Sequence, residues 1–187
     1  MKAIEVIIDP GHGGRDWGCN TEGKPNRGYM GALEKDINLE VAVRLGWYLA
    51  QNDISYMLTR YGDRYVGLKE RSKQANDAQA RLFLSIHCNY AGDPDIKGLE
   101  VWHHHKSEKG VVLAQKFCEG LCDLNYTRNR GVKSANPSFS VLHYTSMPAI
   151  LLELGFISNR EDCLCLYDES KQALIAERLK NIIKDNI

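Results

Sequence analysis

Ala149-Ile150-Leu151-Leu152-Glu153-Leu154-Gly155-Phe156 is an apolar run of strand length with one glutamate inside it. Such a continuous run is what a strand buried on both faces of a parallel sheet requires. An ionised carboxylate among those neighbours is costly unless something pairs with it. Two further apolar segments each end at a histidine: Ile4-Glu5-Val6-Ile7-Ile8-Asp9-Pro10-Gly11-His12 and Leu82-Phe83-Leu84-Ser85-Ile86-His87. Around these segments strands and helices alternate along the whole chain. The expectation is a single α/β domain, with a twisted, mostly parallel central sheet flanked by helices on both faces.

Periodicity places the other elements. A first strand is expected at 3–8 and a long Gly- and Asn-rich loop at 11–33. Such loops on a rigid scaffold commonly build sites. A helix follows at 36–51, with Leu39, Ala42, Val43 and Trp47 recurring on one face. Strands are expected at 54–59, 81–87, 98–103, 139–143 and 149–154. Helices are expected at 66–80 and at 107–124, the latter capped by Ser107. A helical C-terminus at 158–183 is broken near residues 168–170.

Composition bounds the function. The 187 residues suffice for one domain with a substantial core, and residues 1–187 read as one unit without a separate binding module. The 24 basic and 24 acidic side chains cancel, which argues against a nucleic-acid surface. No apolar run approaches the roughly 20 residues of a membrane-spanning helix. The first residues read as a strand and not as a signal peptide, so synthesis in the cytoplasm is expected. Cys19, Cys88, Cys118, Cys122, Cys163 and Cys165 then read as reduced thiols.

The candidate chemistry lies where strands run out. In open α/β sheets ligands bind outside the carboxyl ends of the strands, and His12 and His87 both sit at such ends. Glu34 precedes the helix at 36–51. Two histidines and a carboxylate are a catalytic zinc set, and Glu153 is then the natural proton handler. Each residue also has a plainer reading. A lone histidine is most often a hydrogen-bonded loop or core group, Glu34 suits a helix N-terminus, and Glu153 suits a buried pair with an arginine or lysine. The conjunction favours a zinc hydrolase.

The chain resembles the zinc-dependent N-acetylmuramoyl-L-alanine amidases of the type 3 cell-wall amidase family. The matching segments are Ile8-Asp9-Pro10-Gly11-His12-Gly13-Gly14, Glu34-Lys35-Asp36-Ile37-Asn38-Leu39, Leu58-Thr59-Arg60, Leu68-Lys69-Glu70-Arg71 with Ala75-Asn76, Ser85-Ile86-His87-Cys88-Asn89, Arg130-Gly131-Val132-Lys133, Val141-Leu142 and Pro148 through Asn159. The resemblance implies that His12, Glu34 and His87 bind one zinc ion and that Glu153 is the catalytic acid/base. It also implies the bond cut, the amide between the muramic acid lactyl group and the L-alanine of the stem peptide. It offers no role for Arg71 or Asn76, which read as helix surface and helix packing.

Peptidoglycan, the implied substrate, presents carboxylates and flat sugar faces. Cations and aromatics of the long loop (Arg15, Trp17, Lys24, Arg27, Tyr29) are therefore candidate contacts, with Asn89, Lys133 and His143. The run His103-His104-His105 reads as an exposed strand end, a second metal site being the alternative. Action on the cell wall, after release as an endolysin or autolysin or as a domain cut from a longer secreted protein, and as a monomer, completes the expectation. The competing readings are a zinc peptidase or N-acyl amino acid hydrolase, and a wall-binding domain without catalysis.

Overall fold

The structure is a computed structural model that describes residues 4–21, 24–25, 27–136 and 139–187. A six-stranded sheet is built from β1 (Val6–Pro10), β4 (Tyr56–Leu58), β5 (Leu82–Asn89), β6 (Leu99–His104), β7 (Asn129–Ala135) and β8 (Ala149–Phe156). The order across it is β4-β1-β5-β8-β6-β7. All pairs are parallel except β6 with β8, which is antiparallel. A two-residue hairpin, β2 (Asn20–Thr21) and β3 (Lys24–Pro25), lies apart in the loop after β1.

Side-chain alternation divides the strands between two faces. Val6 and Ile8, Leu82, Leu84 and Ile86, and Ile150, Leu152 and Leu154 all point to the larger core. Four helices cover that face: α1 (Glu34–Ala50), α3 (Glu108–Cys122), α5 (Arg160–Tyr167) and α6 (Glu169–Asn186). The opposite face carries Ile7, Phe83, Ala149 and Leu151 under α2 (Leu68–Asp77) and the four-residue α4 (Ser140–His143). Those two short helices leave the carboxyl ends of β1, β5 and β8 uncovered, and the cleft lies there.

The expected alternation of strands and helices is present, and four readings need correction. The segment at 139–143 is not a strand: it forms α4, and Val141 and Leu142 are both buried. One helical turn can bury both neighbours on a single core, whereas a strand would turn them to opposite faces. Strand β7 was not foreseen, because Asn-Arg-Gly-Val-Lys-Ser-Ala is an edge strand, only partly buried along its length. Helix α1 begins at Glu34 itself. It turns Ile37, Val41, Ala42, Leu45 and Leu49 inward, while Val43 and Trp47 face solvent. Apolar residues nearly encircle this helix, so the sheet it packs on decides the buried stripe.

Candidate metal centre and active site

Three elements deliver three donors to one point. Glu34 is the first residue of α1, His87 lies near the end of β5, and His12 lies two residues beyond β1. Glu34 Oε1 is 3.1 Å from His12 Nε2 and 2.9 Å from His87 Nδ1. The two imidazoles meet edge to face, with centroids 4.8 Å apart. One donor atom from each residue falls within 4.8 Å of the others. Nitrogen and carboxylate oxygen at this spacing suit a four-coordinate zinc ion with one position left open.

The surroundings orient each donor. Cys19 donates to Glu34 Oε2 from its backbone N–H (2.9 Å) and from its thiol (3.1 Å), which leaves Oε1 turned to the histidines. Asn38 Nδ2 and the backbone N–H of Cys88 also reach Oε1, at 3.4 and 3.2 Å. His12 Nδ1 is 3.0 Å from Asp16 Oδ1, an ion-pair contact whose angle does not make a hydrogen bond. Two glycines make the room. A Cβ on Gly11 would lie 2.3 Å from His87 Cε1, and one on Gly18 (φ +95°) would lie 2.4 Å from Glu34 Oε2. Residues with side chains at these points would collide with the donors.

Electrostatics separate the two glutamates of the site. Burial alone would raise the Glu34 carboxyl, but His12 and His87 hold it well below the usual carboxylate range. Burial likewise opposes charge on His12, yet Asp16 and Glu34 raise its pKa to about 10. Glu153 moves the other way: burial, then the charges of Glu34 and Glu100, push it well above the ordinary value. It stands opposite His87 across β5–β8 and opposite Glu100 across β6–β8. Its Oε2 is buried and has no hydrogen-bond partner among the described residues. No arginine or lysine pairs with it there, so the ion-pair reading of this glutamate fails. A buried carboxyl biased toward its protonated form, beside three candidate metal donors, is the kind of group that exchanges protons with a substrate.

These groups line one cleft of about 380 Å³, walled on its other side by Leu68, Phe139, Ser140 and Val141. Asn89 also lines it, whereas Arg15, Lys133 and His143 are not among the lining residues. Arg15 stacks its guanidinium over the ring of Tyr65, 4.7 Å from the centroid. Lys133 stands on β7 opposite Trp102. His143 Nδ1 lies 3.4 Å from His104 Nε2, outside the cleft. The side chain of Lys24 lies outside the described residues. His103 is buried and not exposed, and its Nδ1 is 2.9 Å from the His104 carbonyl.

Two residues near the cleft escaped the sequence reading. Cys19 belongs to a loop segment without periodicity, so nothing signalled its contact with Glu34. Arg71 is fully buried, against the expectation of a helix-surface position. It pairs with Asp9 Oδ1 at 2.7 Å and bonds the carbonyls of Pro10 (2.8 Å) and His12 (2.7 Å). Thr59 and Ser85 hydroxyls complete the shell of Asp9, whose carboxyl is held below its ordinary range by Arg71 and these donors despite burial. Asn76 ties α2 to the segment before β8 through the Tyr144 carbonyl and the Ser146 N–H. All six cysteines are free, as expected.

Comparison with known proteins agrees with this geometry. Residues 6–185 match the family Amidase_3, described as N-acetylmuramoyl-L-alanine amidase. The N-acetylmuramoyl-L-alanine amidase LytC of Bacillus subtilis is 35% identical over 182 residues, which are 96% of this chain and 34% of LytC. The chain thus spans about a third of that relative. Among solved structures, the N-acetylmuramoyl-L-alanine amidase AmiC2 of Nostoc punctiforme superposes with a TM-score of 0.88 at 35% identity, covering 98% of this chain and 96% of that one. The N-acetylmuramoyl-L-alanine amidase of Clostridium difficile 630 does so with a TM-score of 0.88 at 33% identity, covering 99% and 97%.

Proposed function

This chain belongs to the N-acetylmuramoyl-L-alanine amidase family, and on that premise we propose that residues 1–187 form one zinc-dependent catalytic domain that hydrolyses peptidoglycan. The bond cut is the amide joining the muramic acid lactyl group to the L-alanine of the stem peptide. The observation that carries this reading is the meeting of His12, Glu34 and His87 at one point, in the cleft that also holds the unpartnered Oε2 of Glu153.

His12 Nε2, Glu34 Oε1 and His87 Nδ1 would hold the zinc ion, which when bound supplies a Lewis acid for the scissile carbonyl and its developing oxyanion. In its ionised form Glu153 takes a proton at Oε2 from the attacking water as the new C–O bond forms. It returns that proton to the alanine nitrogen as the C–N bond breaks. The products are a free lactyl carboxylate and a stem peptide with a free α-amine. Asn89, at the end of β5, lines the cleft, and in this reading it contacts the substrate. Phe139, Val141 and Leu68 give the opposite wall an apolar surface for the stem peptide or a sugar face.

The site of action is the cell wall. Among the described residues no helix is long and apolar enough to cross a membrane. The deciding experiment supplies purified peptidoglycan to zinc-loaded protein and quantifies newly exposed amino termini. Release of N-terminal alanine is the expected result. Release from N-acyl amino acids or ordinary peptides, with none from peptidoglycan, would reassign the substrate. Wall binding without any amine release would make the chain a binding domain.

A further inference from the structure

The three donors are not equally anchored. His87 lies in a strand paired on both sides, by β1 and by β8. His12 lies in a loop with φ +63°, a left-handed conformation that side chains resist. Glu34 opens a helix whose N-cap residue, Leu33, makes no side-chain capping bond. A fully buried arginine from the Leu58-Thr59-Arg60 segment reaches both ligand segments. Arg60 Nη2 donates to the carbonyls of Gly11 (2.9 Å) and Lys35 (2.7 Å). Gly11 immediately precedes His12, and Lys35 immediately follows Glu34. Its Nε donates to the Pro10 carbonyl at 3.0 Å and its Nη1 to the Gly62 carbonyl at 3.1 Å.

Among the described residues no carboxylate lies within ion-pair distance of this guanidinium. The guanidinium spends its donors on backbone carbonyls, while Asp63, Asp9 and Asp36 act on it only from beyond direct contact. The planar fork fixes the spacing of the carbonyls it bridges, which a lysine ammonium cannot do. The geometry points to Arg60 as a positioning residue that couples two metal ligands, setting the distance between His12 and Glu34 and thereby the affinity and geometry of the metal site.

This inference rests on the three-donor reading of the metal centre, and its test separates the two. Zinc affinity of the 187-residue chain is measured by competition with a chromogenic chelator, and Co²⁺ is loaded as a spectroscopic probe. Failure of the parent protein to bind zinc would remove the metal reading itself. With the parent binding, Arg60→Lys is expected to fold and to bind zinc about 10- to 100-fold more weakly, the usual cost of losing a group that orients a ligand. Its Co²⁺ d–d bands should shift as well. Phe117→Ala, which loosens the opposite core, should leave affinity and spectrum unchanged. Zinc affinity in Arg60→Lys within twofold of the parent, with the same Co²⁺ spectrum, would overturn the assignment. Should Arg60→Lys not fold, Arg60→Gln is read in the same way. If neither folds without metal, the zinc concentration at half-recovery of the fold is compared with that of Phe117→Ala: a tenfold or larger requirement supports the coupling, and an equal one assigns Arg60 to folding alone.

Discussion

The two faces of the central sheet are made by the same strands and serve opposite ends. On the face under α1, α3, α5 and α6, each strand contributes aliphatic side chains to a continuous apolar core. On the other face the same strands carry Asp9, Ser85, His87 and Glu153 between their apolar residues. One residue of offset along β5 or β8 separates packing from chemistry. Stability therefore resides chiefly in one face, while the other tolerates buried charge that the first makes affordable.

The sharpest break of that contrast is Glu153→Gln. It should retain zinc and lower turnover by about 10²- to 10⁴-fold, the range for losing a positioned proton-transfer group. Metal analysis beside the amine-release assay checks both halves. Asp9→Asn comes next. Removing one partner of a buried pair costs about 3–5 kcal/mol, because Arg71 would be left without its counter-charge. The sign with pH follows from the lowered Asp9 carboxyl. Its contribution is present above the unfolded value of roughly 3.9 and is lost as pH falls through the lower folded value. Denaturant titrations across acidic pH should show that limb in the parent and not in the variant.

Phe117→Ala on the packed face should cost a similar amount, about 3–5 kcal/mol, by leaving a cavity. Turnover per folded molecule should be unchanged, a pairing opposite to that of Glu153→Gln. The smallest effect is a gain. Because the folded-state pKa of Glu153 is raised, its ionised form opposes folding. Metal-free Glu153→Gln should therefore melt slightly above the parent at pH 7. The difference should vanish below about pH 4, where the unfolded chain also holds that proton. A lower melting temperature for the variant would mean that the carboxylate is structural.

Much of this was legible in the chain because it is written in local pattern. The apolar runs ending at His12 and His87 marked both strands and both strand ends, and Glu153 stood out as a charge where no charge belongs. What was not legible depends on partners distant in sequence. Arg71 carries no mark of burial, since what buries it is a set of carbonyls 59 to 61 residues away. Cys19 meets Glu34 only because the loop folds back on α1. Val43 and Trp47 share a helical spacing with residues that do turn inward, and only the sheet chooses between the stripes. Strand β7 is an edge, with little apolar alternation to betray it.

Gly11 and Gly18 add a consequence of another kind. Neither has a side chain to offer the site, yet a single methyl group on either would stand where a ligand side chain now lies. A scan of all substitutions should therefore score these two positions as severely as the ligands themselves. An inventory of chemical groups would overlook both, because what each contributes is empty volume.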